Sequence, residues 1–165
     1  MAKKVTIVIL NYNGARDTLA CLSSLRAIDY PADEIIVVDN ASDDVQELVT
    51  AMRSDFPGVK IVALPQNRGF SGGCNVGIEY ALVRQSDYVL LLNNDTTVAP
   101  DFLTKLVEAA ESDPRIGIAG GKIYFKDEPD HIWYAGGEFS WRNGGIHRGM
   151  GSIDTAKDDA RIVHT

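Results

Sequence analysis

Short apolar runs alternate with amphipathic segments from residue 5 to residue 124, and this alternation constrains the fold more than any other feature. The runs lie at 5–10, 35–38, 59–64, 88–92 and 116–124. Most are rich in β-branched or leucine residues on both faces, which is typical of strands buried in a parallel sheet. Between the first four runs and again before the fifth, apolar residues recur at helical spacing. The pattern predicts a doubly wound α/β domain, with a mostly parallel sheet flanked by helices.

The acidic composition limits the kinds of partner. The 165 residues include 23 Asp and Glu against 16 Lys and Arg, which gives a net charge of -7 at pH 7. A nucleic-acid-binding surface needs clustered basic residues, so we expect no nucleic acid partner. No run approaches the roughly 20 apolar residues of a transmembrane segment, and Cys21 and Cys74 form no metal-ligand or disulfide framework. We expect a cytoplasmic protein, with peripheral attachment to the inner face of the membrane left open.

Polar residues follow three of the predicted strands at the point where each strand ends. They are Asn11-Tyr12-Asn13, Asp39-Asn40 and Asn93-Asn94-Asp95. Ligands of open α/β sheets bind outside the carboxyl ends of the strands, so we expect these groups to share one edge. Asp39 would accept a hydrogen bond from a base or a ribose, or it would cap the next helix, and the two roles can coexist.

Asp95 is the predicted metal ligand. It follows an apolar strand, so we expect a partly desolvated carboxylate that needs a compensating charge. Mg²⁺ or Mn²⁺ would supply that charge through oxygen ligands from Asp95 and Asn93, with pyrophosphate oxygens completing the shell. The alternative is that Asp95 and Thr96 merely begin a turn.

Residues 67–73 read as a glycine-rich loop that leads into a helix. Its glycines would allow the backbone to approach a ligand closely, and Arg68 would pair with a phosphate or a carboxylate. The alternative is a tight turn and close helix packing, which would account for two of the glycines. The dinucleotide-binding and P-loop fingerprints are both absent from the sequence.

Four segments in this order resemble glycosyltransferase family 2, and look closest to its bacterial rhamnosyltransferase-like branch. They are VTIVILNYNG at 5–14, VVDNASD at 37–43, NRGFSGGCNVG at 67–77 and LLNNDT at 91–96. The resemblance implies a GT-A fold, a nucleotide-diphosphate sugar donor such as dTDP-rhamnose or a UDP-sugar, a glycan or lipid-linked acceptor, and inversion at the anomeric carbon. It also implies that residues 1–126 bind the nucleotide sugar and that residues 127–165 begin the acceptor-side region.

The same resemblance assigns the site residues. Asp95 matches the last acidic position of the family's metal motif, whereas Asn93 stands at the first position in place of Asp and removes one charge. Asp39 would contact the base with support from Asn40. The expected nucleotide-binding set is Asn11, Tyr12, Asn13, Asp39, Asn40, Asn67, Arg68, Gly69, Phe70, Gly73, Asn75 and Asn94.

The family's acidic general base normally follows a further strand and helix. Asp154, Asp158 and Asp159 are acidic residues near the end of this sequence, but their context does not match. We therefore expect a fragment that binds the donor nucleotide and transfers little or no sugar. A non-catalytic nucleotide-sugar-binding domain is the alternative. A sugar nucleotidyltransferase is a third reading, although it needs a basic glycine-rich loop after the first strand, which residues 11–14 do not provide.

Overall fold

A computed structural model describes residues 2–32, 34–142 and 144–155. The chain forms two compact units, Met1–Leu103 and Thr104–Thr165. The sequence predicted a different kind of division, after residue 126, between a donor-binding part and an acceptor-side part. That functional division stays a prediction. Among the described residues, no helix combines the length and the hydropathy that crossing a membrane requires.

The first unit is built on a parallel sheet of four strands in the order β3-β2-β1-β4. This confirms the predicted fold class. The elements follow one another as β1 (Val5–Asn11), α1 (Ala15–Leu25), β2 (Glu34–Asp39), α2 (Val45–Asp55), β3 (Lys60–Ala63), α3 (Gly69–Val83) and β4 (Tyr88–Asn93), with α4 (Phe102–Glu111) after them.

The strand order contains one reversal of direction. The chain runs outward from β1 through β2 to β3, and then returns to the other side of β1 to form β4. Parallel crossovers are right-handed, so α3 covers the opposite face of the sheet from α1 and α2. The reversal makes the gap between the carboxyl ends of β1 and β4 a topological switch point, the place where open α/β sheets bind ligands.

The core lies on both faces of β1 and β2. On the face under α3, Val8, Ile36 and Val38 are buried together. Ile7 and Ile9 alternate to the other face and are also fully buried. Each such side chain contributes about 1.5–3 kcal/mol through burial, which explains why these two strands carry apolar residues at nearly every position.

The glycine-rich segment is helical from Gly69 onward, so the prediction of a loop through residue 73 is wrong. Helix α3 begins at Gly69, and two of its glycines, Gly73 and Gly77, face the sheet. A Cβ atom at Gly73 would lie 2.4 Å from Leu10 Cδ1, and one at Gly77 would lie 2.2 Å from Val8 Cγ1. Close packing of α3 on β1 therefore accounts for these two glycines, as the alternative interpretation expected.

Two strand predictions also need correction. β4 is an edge strand of the described sheet, and Leu91 is 45% exposed, so β4 is not buried on both faces. The predicted strand at 116–124 is reduced to β5 (Ile123–Tyr124), and Ile118 is 95% exposed. Glycines at 117, 120 and 121 weaken a strand because they lose more backbone entropy and offer no side chain to bury.

The second unit contains short antiparallel pairs. β5 pairs with β6 (Ile132–Tyr134), and β7 (Gly137–Ser140) pairs with β8 (Gly144–His147). Asp154 is buried in this unit, where its Oδ2 atom accepts hydrogen bonds from Lys122 Nζ at 2.8 Å and from the Tyr124 hydroxyl at 2.6 Å. Asp158 and Asp159, the other acidic residues considered from the sequence, lie outside the described residues.

Candidate functional site

Three of the polar strand ends lie side by side. The register pairs Asn11 with Asp39 across β1 and β2, and pairs Leu10 with Asn93 across β1 and β4. Asp95 follows β4 by two residues, so Asp39 and Asp95 stand at the same carboxyl edge of the sheet with β1 between them. The structure thus brings together the residues that the sequence placed at this edge.

Asn11 is the centre of a buried hydrogen-bond network. Its Nδ2 atom donates to Asp39 Oδ1 at 2.8 Å and to Ser42 Oγ at 3.1 Å. Its Oδ1 atom accepts from Thr18 Oγ1 at 2.8 Å. All four residues are buried, so the polar groups satisfy one another in a region of low dielectric, where such bonds are strong. The network locks the ends of β1 and β2 to helix α1.

Both oxygens of the Asp39 carboxylate already accept hydrogen bonds from the protein. Besides the Asn11 bond, its Oδ2 atom accepts from the backbone N–H of Ser42 at 3.0 Å, and the residue is 0% exposed. Asp39 therefore stabilises the turn after β2. It does not cap the next helix, because the N-cap residue of α2 is Asp44. Contact between Asp39 and a base, which the sequence predicted, is not possible in this conformation because the carboxylate is fully buried.

Asn40 fixes the segment that leads into α3. Its Nδ2 atom donates to Asn67 Oδ1 at 2.9 Å and to the carbonyl oxygen of Gly69 at 3.1 Å. Its Oδ1 atom accepts from the backbone N–H of Arg68 at 2.8 Å. Gly69 has a φ of 71°, a left-handed conformation that favours glycine. Asn40 thus holds the N-terminal end of α3 at the same edge as the strand ends.

The other predicted residues divide by exposure. Gly73 is buried against Leu10, and Asn94 is half-buried in the network. Tyr12 is 54% exposed and Phe70 is 63% exposed. The remaining exposed members of the predicted set are Asn13, Asn67, Arg68, Gly69, Asn75, Asn93 and Asp95. In this conformation a ligand can reach these exposed residues but not Asn11 or Asp39.

Asp95 is exposed, so the expected partial desolvation is wrong. β4 ends at Asn93, and Asn94 and Asp95 form a turn in which Thr96 N–H donates to the carbonyl oxygen of Asn93 at 3.3 Å. The turn that we considered as an alternative therefore exists, and it projects the carboxylate into solvent beyond the edge strand.

The described residues contain no metal site built from protein side chains alone. No group of three or more His, Cys, Asp or Glu side chains in them could hold an ion. The exposed Asp95 carboxylate and Asn93 amide fit a different mode, in which Mg²⁺ or Mn²⁺ takes one or two protein oxygens and completes its shell with phosphate oxygens and water. Asp95 and Asn93 would hold an ion only together with a bound diphosphate.

The charge of Asp95 also acts on a buried thiol. Cys21 Sγ lies 3.8 Å from the carbonyl oxygen of Asn93. Burial, and secondarily the negative charge of Asp95, raise the pKa of Cys21 to about 11. The thiol beneath the β4 turn is therefore neutral at physiological pH and does not offer a thiolate ligand.

Thr18 belongs to this site although no sequence motif singles it out. It lies on the buried face of α1, one turn before Cys21 and Leu22, and is 0% exposed. A polar residue on an otherwise apolar helix face is the signal that could have identified it, because a buried hydroxyl needs a hydrogen-bond partner.

Comparison with protein families and with curated proteins extends these observations. The model of glycosyl transferase family 2 matches residues 6–160. Succinoglycan biosynthesis protein ExoO of Rhizobium meliloti (strain 1021) is 35% identical over 108 residues, which cover 66% of this chain and 30% of that protein. Poly-beta-1,6-N-acetyl-D-glucosamine synthase of Staphylococcus aureus (strain COL) is 31% identical over 118 residues, which cover 71% of this chain and 28% of that protein. The matched part is less than a third of either relative.

Two solved structures share this architecture. Mannosyltransferase PcManGT from Pyrobaculum calidifontis, in complex with GDP-Man and Mn2+, has a TM-score of 0.61 and 26% identity over 71% of this chain and 34% of that one. S. aureus TarS 1-349 in complex with UDP-GlcNAc has a TM-score of 0.52 and 19% identity over 76% of this chain and 41% of that one, and shows the fold alone. The fold is therefore GT-A, and from the match along nearly its whole length the chain belongs to glycosyltransferase family 2.

Proposed function

We propose that this chain is the donor-binding part of an inverting glycosyltransferase. It would bind a nucleoside-diphosphate sugar at the carboxyl edge of the sheet and serve transfer of the sugar to a hydroxyl group of a glycan or lipid-linked acceptor. The observation that carries the proposal is the switch point between β1 and β4, where the exposed residues Tyr12, Asn93 and Asp95 lie at adjoining strand ends.

The diphosphate would lie near the β4 turn. Asp95 and Asn93 would hold Mg²⁺ or Mn²⁺ together with diphosphate oxygens, and the ion would neutralise the negative charge of the leaving diphosphate. Mannosyltransferase PcManGT, solved with GDP-Man and Mn2+, supports a divalent ion of this kind. Arg68 is exposed at the N-terminal end of α3 and would pair with a phosphate.

The nucleoside would lie along the ends of β1 and β2. Tyr12 and Asn13 would border it, and Asn67, Gly69, Phe70 and Asn75 would form the wall near the ribose and diphosphate. Asn11, Asp39, Asn40 and Gly73, which are buried, would support these residues from the interior, and Asp39 would contact the base only in a conformation that exposes its carboxylate. The rhamnosyltransferase-like motifs favour dTDP-rhamnose, with a UDP-sugar as the other donor class.

The reaction would be a single displacement. The acceptor oxygen forms a bond to the anomeric carbon while the bond from that carbon to the diphosphate oxygen breaks, so the configuration inverts and the nucleoside diphosphate leaves with the electron pair. A general base takes the acceptor's proton. We assign no described residue to the role of base, and we place the reaction in the cytoplasm, at the inner face of the membrane.

Calorimetric titration of the chain with UDP, dTDP and GDP, each with Mn²⁺ and each with EDTA, tests the proposal. We expect at least one nucleotide to bind in the millimolar range or tighter, more tightly with Mn²⁺ than with EDTA. Asp95→Ala should remove the Mn²⁺ dependence. Asp87→Ala is the matched control, since Asp87 is an exposed aspartate immediately before β4, at the opposite end of the strand. Failure of all three nucleotides to bind, or equal effects of the two variants, would overturn the proposal.

A further inference from the structure

We propose that Thr18 is a positioning residue that sets the direction of the Asp95 carboxylate through the side chain of Asn94. The inference rests on the proposed function, because it concerns how the metal–diphosphate ligand is held. Thr18 touches neither the exposed residues of the site nor solvent: it is 0% exposed on the inner face of α1.

The Thr18 hydroxyl joins two amides. Its Oγ1 atom donates to Asn11 Oδ1 at 2.8 Å and accepts from Asn94 Nδ2 at 3.1 Å. The same Asn94 amide has longer contacts of 3.4 Å with Asn11 Oδ1 and with the carbonyl oxygen of Gly14. Thr18 is thus the nearest acceptor for the side chain next to Asp95 in the sequence.

Gly14 supplies independent support for this placement. A Cβ atom at Gly14 would lie 2.7 Å from Asn94 Nδ2. The φ of Gly14 is -136°, which other residues adopt, so the backbone does not require glycine. The glycine instead leaves the space that the Asn94 amide fills.

Few other described hydrogen bonds join the β4 turn to α1: Cys21 Sγ lies 3.8 Å from the carbonyl oxygen of Asn93, and the backbone N–H of Val98 donates to Ser24 Oγ at 3.2 Å. β4 is the last strand of the described sheet on that side, and its only strand partner there is β1. Between Asn93 and Thr96 the turn contains one described backbone hydrogen bond, of 3.3 Å. Within the turn itself, the Asn94 side chain is the group that bonds to the buried network. An ion that takes a single carboxylate from the protein depends on the direction of that carboxylate.

The test compares Thr18→Val with Thr18→Ser, using UDP, dTDP and GDP as probes, with Mn²⁺ and with EDTA. Valine keeps the shape and removes the hydroxyl, so the Asn94 amide loses its nearest acceptor and keeps only the two contacts of 3.4 Å. We expect Mn²⁺-dependent affinity to fall about tenfold, which is the loss of about one hydrogen bond from the ion-bound state. Affinity in EDTA should not change, and serine should restore binding. Thr6→Val is the matched control: Thr6 is also 0% exposed, and its hydroxyl bonds to Ser86 at 2.7 Å at the other end of the sheet.

Two further variants separate positioning from general loosening. In an Asp95→Ala background, Thr18→Val should have no additional effect on binding, because the carboxylate that it directs is gone. Gly14→Ala is the second test, to be used if Thr18→Val does not fold. It removes no hydrogen-bonding atom but displaces the Asn94 amide, so it should also weaken Mn²⁺-dependent binding. The inference is overturned if Thr18→Val loses the same affinity with Mn²⁺ as with EDTA, or if Thr18→Val and Gly14→Ala both keep the affinity of the unsubstituted chain. Either result leaves the proposed function standing. Absence of Mn²⁺-dependent binding in the unsubstituted chain overturns both.

Discussion

The Asn11 amide and the Asp39 carboxylate face each other across the paired ends of β1 and β2, with Nδ2 2.8 Å from Oδ1. Neither side chain is exposed. Two of the polar residues that the family resemblance assigns to the nucleotide therefore bind each other, at the same edge of the sheet as the exposed residues Tyr12, Asn93 and Asp95.

Replacing Asn11 by Ala should destabilise the first unit strongly. The change leaves the buried Asp39 Oδ1 atom without its donor and the Thr18 hydroxyl without its acceptor, whereas Ser42 Oγ still accepts from the backbone N–H of Asn13. A loss of about 3 kcal/mol in the free energy of unfolding is expected. Urea denaturation followed by circular dichroism measures it. Asn75→Ala, on the exposed side of α3, is the control and should change stability by less than about 0.5 kcal/mol. Equal stability of the two variants would contradict the network.

Replacing Gly77 by Ala should also destabilise the fold, for a steric reason. The added methyl group would lie 2.2 Å from Val8 Cγ1, so either α3 or the Val8 side chain must shift. Such overpacking costs about 1–3 kcal/mol. Gly58→Ala is the control, because no atom lies within 4 Å of its Cβ position. Val8→Ala is itself destabilising because Val8 is buried, so the double variant Gly77→Ala, Val8→Ala should lose less stability than the sum of the two single losses. Additive losses would argue against this contact as the cause.

The strands of the sheet were predictable because burial on both faces leaves a local mark on the sequence. Val5 to Leu10 and Ile35 to Val38 are apolar at nearly every position, whichever face each residue occupies. The start of α3 was not predictable in this way. Gly73 and Gly77 fit side chains of β1 that are more than sixty residues away in the sequence, so the glycines look locally like a loop.

The sequence predicted where the site lies, at the carboxyl ends of the strands, but not which of its residues are buried. The rule that polar residues gather at the carboxyl edge placed Asn11, Asp39 and Asp95 together. Which of them are buried depends on the register between β1 and β2 and on the position of Thr18 in α1, and neither is written in the local sequence. Asp95 was expected to be partly desolvated, and it is exposed because β4 lies at the edge of the described sheet.

The buried thiol of Cys21 predicts how stability depends on pH. Burial, with the charge of Asp95 as the second cause, raises its pKa in the folded chain to about 11, whereas an unfolded cysteine titrates at about 8.5. Above about pH 8.5 the unfolded thiol ionises while the folded one stays neutral. The free energy of unfolding should therefore fall as the pH rises from about 8.5 to about 11, by at most about 1.4 kcal/mol per pH unit from this group.

Urea denaturation at about pH 8 and at about pH 10 checks this pH dependence. Cys21→Ala should lose less stability than the unsubstituted chain between the two pH values. Tyrosine and lysine ionisation affects both chains alike, so it cancels in the difference. Burial also raises the pKa of Cys74, and Cys74→Ala is therefore a parallel comparison rather than a neutral one. An equal loss of stability with and without the Cys21 thiol would contradict the prediction.

The central claim, that the tip of β4 binds a divalent ion together with a nucleoside diphosphate, is tested most directly by the paramagnetism of Mn²⁺. Amide NMR spectra of the isotope-labelled chain would be recorded with UDP or dTDP, before and after addition of a small amount of Mn²⁺. We predict that the amide signals of Asn93, Asn94 and Asp95 broaden in the presence of nucleotide, while those of Lys4 and Asp87, at the opposite edge of the sheet, remain sharp. Broadening that is centred away from the β4 turn, or that does not depend on nucleotide, would contradict the account.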